Sequence, residues 1–135
     1  MSITIENLIP HRAPMRFIET LDELSEKIAV ATAHFDAENF AVSDDTVLET
    51  ALIECAAQTA AAALGRGKEN GDRSGAEMGM LVAVSNFKIE SRPPAGKKLR
   101  IEIAERKRIG PMQIISSKIF CDGHQIASGD LTLYA

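Results

Sequence analysis

Two polar side chains one helical turn apart, Glu54 and Gln58, interrupt the most apolar stretch of the chain, Ala51 to Leu64. Ala51, Ala56, Ala57 and the run Ala60 to Ala63 surround them, so the segment reads as a buried helix holding one carboxyl. A carboxylate taken out of water must be paired or must carry its proton. A carboxyl that keeps a proton near neutrality is what general-acid catalysis requires. Gln58 stands at i+4 from Glu54 and shares its face, where it would orient the carboxyl or hydrogen-bond a bound molecule. The alternative is structural: a partly exposed Glu at a subunit surface, or a hydrogen-bonded pair without chemistry.

The histidines are the other candidates. His11 lies between Pro10 and Pro14, in a turn whose backbone angles are restricted, and leads as a possible base. His34 ends a strand-like segment and ranks second. His124 follows a hairpin signal and reads as solvent-exposed. Cys55 falls inside the apolar helix, where a thiol acts as a small hydrophobe. Neither Cys55 nor Cys121 has a second Cys or a His at metal-ligand spacing, so no metal is expected and a reducing, cytoplasmic compartment fits.

These residues need elements to hold them. Met1 to Pro14 is an opening segment, with one helical turn from Thr4 to Leu8. Met15 to Leu21 and Ile28 to Phe35 read as antiparallel strands about a polar turn. A helix is predicted to begin at Ser43 to Thr46, where Ser and Asp suit an N-terminus and Thr46 with Glu49 forms a capping box. It is predicted to stop at Gly65, giving about 20 residues or ~30 Å. Arg66 to Glu77 is rich in Gly and charge and reads as a loop. Gly79 to Ser91, Lys98 to Lys107, Met112 to Cys121 and Gln125 to Tyr134 read as strands, with Asp122-Gly123 a strong hairpin turn.

Two strands, one long Ala-rich helix and four strands give an α+β layer architecture, a curved antiparallel sheet wrapped around a central helix. This is the hotdog arrangement. At 135 residues the chain suits one such domain. A single sheet leaves a strand edge uncovered, so edge-to-edge pairing into a dimer is expected.

Composition removes several classes. Net charge is −4 with Lys and Arg scattered, which gives no basic stripe for nucleic acid. Glu54 and Gln58 break the longest apolar run, and no basic region with a long apolar run opens the chain, so neither a membrane span nor a signal peptide is expected. No Gly-rich phosphate loop follows a strand. Aromatic residues make up 4% with no Trp, which argues against a stacked flavin. No cofactor is expected.

The order of motifs resembles a known family. Ile9-Pro10-His11-Arg12-Ala13-Pro14-Met15 is similar to the "PHR-x-P" opening of FabA/FabZ-type 3-hydroxyacyl-(acyl carrier protein) dehydratases. Glu54-Cys55-Ala56-Ala57-Gln58 resembles their central-helix "E-A-M-A-Q". Gly79-Met80-Leu81-Val82, the turn Arg92 to Gly96, and Cys121-Asp122-Gly123 leading to Ala127-Ser128-Gly129 match later strands in order. The combination looks closest to the ApeP-like dehydratases, which accompany aryl-polyene or fatty-acid-like synthesis.

The resemblance implies a reaction in which a β-hydroxyacyl thioester loses water to give a trans-2-enoyl thioester. A His takes the α-proton, and the helix carboxyl, here Glu54, protonates the leaving hydroxyl. Backbone N–H groups near the helix start polarise the thioester carbonyl. It also implies a partner, acyl carrier protein or a coenzyme A thioester, and a site shared between two chains. An acidic carrier would need a local basic cluster, either Arg66, Lys68 and Arg73 or Lys97, Lys98 and Arg100. Gln58, Gly79 and Met80 are the expected substrate contacts. Met15, Phe17, Met78, Met80 and Phe87 are expected along an acyl tunnel.

One departure matters. The FabZ type carries its catalytic His in a "GHFPG" loop before the helix, where this chain has Asn39 to Thr46 and no His. Three readings follow. His11 serves as the base; the partner in a hetero-dimer supplies the His, this chain being a non-catalytic subunit; or the chain is a hotdog thioesterase in which Glu54 alone activates water or attacks the thioester.

Overall fold

Asp44 and Asp45 decide where the helix begins. The computed structural model describes residues 5–25, 27–69 and 80–134, with the side chains of 64–69 and 80 left aside. In it Asp44 and Asp45 both take positive φ, 53° and 62°. They form a two-residue hairpin turn between β3 (Val42–Ser43) and β4 (Thr46–Val47). Asp tolerates this backbone well, and two positive φ values in sequence suit a two-residue hairpin. Ser-Asp-Asp-Thr therefore closes a hairpin instead of capping a helix, and α1 (Glu49–Glu69) starts three residues beyond Thr46. The expected capping box is absent: the Thr46 hydroxyl donates to Ser43 O at 3.1 Å.

The other end of α1 also differs from expectation. The helix passes through Gly65 to Glu69. Glycine weakens a helix by about 1 kcal/mol but ends it only where the backbone turns left-handed.

The large sheet has six antiparallel strands in the order β1 (Ile18–Leu24), β2 (Ile28–His34), β6 (Lys98–Ile109), β7 (Met112–Cys121), β8 (His124–Tyr134) and β5 (Met80–Ile89). Asp122 and Gly123 make the expected β7–β8 turn, with φ of 52° and 78°. Strand alternation sets which residues meet the helix. Ala31, Ile101, Ile119 and Ala127 form one row across four strands, and all are fully buried. Ala29, Ile103, Ser117 and Gly129 form the next. Small residues in both rows, and the buried Ala51, Ala56 and Ala60 on α1, suit a close approach of helix and sheet.

Gly129 has a particular reason to be glycine. Asn86 adopts φ 54° in a bulge of β5 and turns Phe87 over the neighbouring strand. A Cβ on Gly129 would overlap the Phe87 ring.

Residues 5–17 form a strap before β1. It opens with a 3-10 turn, Ile5–Asn7, and buries Ile5, Leu8, Ile9 and Phe17 in the core. Phe17 packs on Phe35 at 5.0 Å between ring centres. The strand expected to start at Met15 starts instead at Ile18. The strap is thus core structure, and it carries His11 past the helix.

Candidate active site

Glu54 lies on the side of α1 that the sheet leaves least covered, in line with half-buried Ile53, Ala57 and Ala61. Its side chain is 36% exposed, more open than the apolar sequence around it suggests. Gln58, one turn on, is fully buried. The strap passes over this turn and sets His11 against Glu54, Nε2 to Oε2 3.4 Å. The two residues stand 43 apart in sequence, yet one chain supplies both.

Gln58 ties the three together. Its Oε1 accepts from Phe17 N–H at 2.8 Å and Ile18 N–H at 3.4 Å. Its Nε2 donates to Met15 O at 2.8 Å and to Glu54 Oε2 at 2.9 Å. The amide orientation follows from its partners, because a backbone N–H can only donate and a carbonyl can only accept. An amide offers two protons and two lone pairs, so all four positions of Gln58 are filled.

Among the described residues, both groups facing the Glu54 carboxyl converge on Oε2. The Gln58 amide donates there, so a proton carried by Glu54 belongs on Oε1, the outward oxygen. On His11, Nδ1 is buried and has no hydrogen-bond partner among the described residues. The pair can therefore exchange a proton with each other and with a molecule docked at the opening, which is the equipment of acid–base chemistry. Beside them, burial pushes the Cys55 thiol far up, and the neighbouring Glu54 charge adds to the effect. Cys55 is inert as a nucleophile.

A brace that sequence reasoning missed fixes the helix start. Arg92 donates from Nε to Val47 O at 3.0 Å and from Nη2 to Ser43 O at 3.0 Å and Thr46 O at 3.3 Å. Val47 N–H bonds to Pro93 O at 2.9 Å, and Ala95 N–H to Asp45 O at 2.8 Å. The β3–β4 hairpin is thereby locked to the 92–96 turn, and α1 leaves it in a set direction. The one sequence signal was Arg92 standing beside a Pro-Pro turn.

Other expected residues lie apart. Gly79 and Met78 fall outside the described residues, as does the Met80 side chain, although Met80 opens β5 opposite Tyr134. Met15 is 53% exposed near the site, whereas Phe17 is buried in the core and Phe87 covers Gly129. His34 faces Asp36 at 3.5 Å, and His124 is exposed at the start of β8. Lys97 pairs with Asp122 at 3.4 Å, and Arg100 with Glu102 at 2.8 Å and Glu23 at 3.8 Å. Lys98 and Arg100 line an open groove of about 430 Å³ together with Glu102, Phe120, Asp122 and Gly123. The Arg66, Lys68 and Arg73 side chains fall outside the described residues. Among the described residues, no group of three His, Cys, Asp or Glu could hold a metal ion, and no helix is long and apolar enough to cross a membrane.

Sheet, buried helix and carboxyl-bearing site define a dehydratase-like hotdog protein. The chain belongs to the ApeP-like family, described as ApeP dehydratase, which matches residues 3–135. Among solved structures it is similar to the dehydratase heterocomplex ApeI:P from Xenorhabdus doucetiae, with TM-score 0.87 and 18% identity over 98% of this chain and 90% of that one. It is also similar to the E. coli PaaI protein from the phenylacetic acid degradation operon, with TM-score 0.69 and 14% identity over 85% and 81% of the two chains. A hypothetical thioesterase with coenzyme A from Streptococcus pneumoniae TIGR4 matches with TM-score 0.69 and 10% identity over 84% and 82%. At these identities the likeness is one of fold. No curated protein is significantly similar to it in sequence.

Proposed function

We propose that this chain dehydrates a 3-hydroxyacyl thioester, with Glu54 as acid and His11 as base. The observation that carries the reading is the approach of His11 Nε2 to Glu54 Oε2 within one chain, at 3.4 Å. The His11 imidazole takes the α-proton, and its electron pair forms the new C=C bond. The C–O bond to the β-hydroxyl breaks as the proton on Glu54 Oε1 passes to the departing oxygen, giving water and a trans-2-enoyl thioester. His11 is then protonated and Glu54 ionised. Their proximity lets the proton return from imidazole to carboxylate and reset the site.

The substrate is carried by acyl carrier protein or coenzyme A, in fatty-acid or aryl-polyene type synthesis. Gly79 and Met80 are its proposed further contacts. The chain works as a homodimer or with a second hotdog protein. Supporting this, β5 is an edge strand whose Leu81, Val82 and Val84 are 39%, 46% and 42% exposed, an apolar edge suited to another strand. The ApeI:P likeness supports a hetero-oligomer in particular.

The test is to incubate the purified chain, alone and with the hotdog protein encoded beside it, with a β-hydroxyacyl carrier-protein thioester and follow products by mass spectrometry. Loss of water by the chain alone supports the reading. Release of free acid would replace it with thioester hydrolysis by Glu54. Turnover only in the complex, unaffected by His11→Ala, would assign the base to the partner.

A further inference from the structure

We infer that Gln58 is a positioning residue, not a substrate contact, and that its amide holds the two halves of the proposed acid–base pair in register. This rests on the reading of Glu54 and His11 as that pair. Three observations carry it. Gln58 is fully buried, so substrate does not reach it. Its four hydrogen-bond positions are occupied, so none remains to recognise a ligand. Those bonds also divide in a telling way. One goes to the Glu54 carboxyl, and three go to the backbone where the strap enters β1, at Met15, Phe17 and Ile18, a few residues after His11.

Met15 and Phe17 lie outside the sheet ladder, just before β1 opens at Ile18, so side-chain bonds there take the place that a neighbouring strand would fill. Gln58 supplies an acceptor and a donor in the relation a strand backbone would offer. The same amide points its second N–H at Glu54 Oε2. The distance between His11 and Glu54 is therefore set through Gln58, and the outward Oε1 is the oxygen left to meet substrate. A purely structural glutamine would need the strap bonds alone. The bond to Glu54 links the clamp to the proposed chemistry.

Two variants test this in the chain with whichever partner its activity requires. Gln58→Met keeps the length and removes all four bonds. Turnover should fall roughly 10- to 100-fold with KM within about threefold. The Phe17 and Ile18 amides should exchange with solvent at least about tenfold faster. Turnover within threefold of the parent, or unchanged exchange at both amides, would overturn the inference.

Gln58→Glu covers the case in which Gln58→Met does not fold. While its new carboxyl is protonated, it keeps an acceptor for Phe17 and Ile18 and one donor. Once ionised, it has no donor and sets a second negative charge beside Glu54. The alkaline limb of the activity profile should therefore move from its position in the parent. A pH profile superimposable on the parent's would overturn the inference. Full activity in Glu54→Gln would instead remove the proposed chemistry from this site, and amide exchange at Phe17 and Ile18 would then decide whether the clamp exists.

Discussion

Two polar regions of this molecule look alike in composition and differ in consequence. On the outer face of the sheet, Arg106 pairs with Asp130 at 2.9 Å and Arg100 with Glu102 at 2.8 Å, and at the strand ends Lys97 pairs with Asp122 at 3.4 Å. At the seam of strap and helix, Gln58, Glu54 and His11 make polar contacts in much the same number. The outer pairs open partly to water, which competes for their charges, so each can be lost singly. The seam is anchored by a fully buried amide, so breaking one bond leaves a polar group unpaired where water does not reach. Number of polar contacts is therefore a poor guide to function here; what the contacts shut away, and what they leave open, is a better one.

The largest effect expected on either side of this contrast is at Glu54. Glu54→Gln is nearly isosteric, so it should reduce dehydration about a thousandfold while the thermal melt moves little; steady-state rates and circular dichroism check it. His11→Ala should slow the same reaction roughly 100-fold, and a loss below about threefold would move the base to another residue or to a partner. Gly129→Ala sharpens the contrast from the packing side. The new methyl meets Phe87, and denaturant unfolding should show a loss of about 1–3 kcal/mol. At the small end, Arg106→Ala on the outer face should change stability by at most about 1 kcal/mol. A larger loss would mean that the outer network is more than a solvated surface.

Much of the architecture can be read from local pattern. Asp122-Gly123 announces its hairpin because few other residues accept two positive φ values. Alternation from Leu99 to Ile103 shows which face meets the helix. The helix ends are harder for the same local reason. Ser43-Asp44-Asp45-Thr46 suits both a helix start and a tight hairpin turn, and the choice is made by Arg92 and Pro93 from far along the chain. Gly65 reads as a stop, although a glycine can also sit inside a helix at modest cost.

The site divides in the same way. Glu54 and Gln58 are legible as a pair because i+4 spacing puts them on one face, and their bond at 2.9 Å follows from that spacing. His11 is legible as a candidate from its proline frame. Its meeting with Glu54 is not, because contact between residues 43 positions apart depends on how the strap folds back over the helix. Nor does any local signal show that Gln58 spends three of its bonds on the backbone where the strap enters β1, since a main-chain partner leaves no mark in side-chain identity.

The central claim is that His11 and Glu54 of one chain work as a unit, and a double-variant cycle on dehydration tests it most directly. Rates of Glu54→Gln, His11→Ala and the combined variant would be measured on one β-hydroxyacyl thioester. If the two act together, each single change is severe and the combined variant is within about threefold of the slower single one. Losses that simply multiply, or a His11→Ala variant as fast as the parent, would contradict the account.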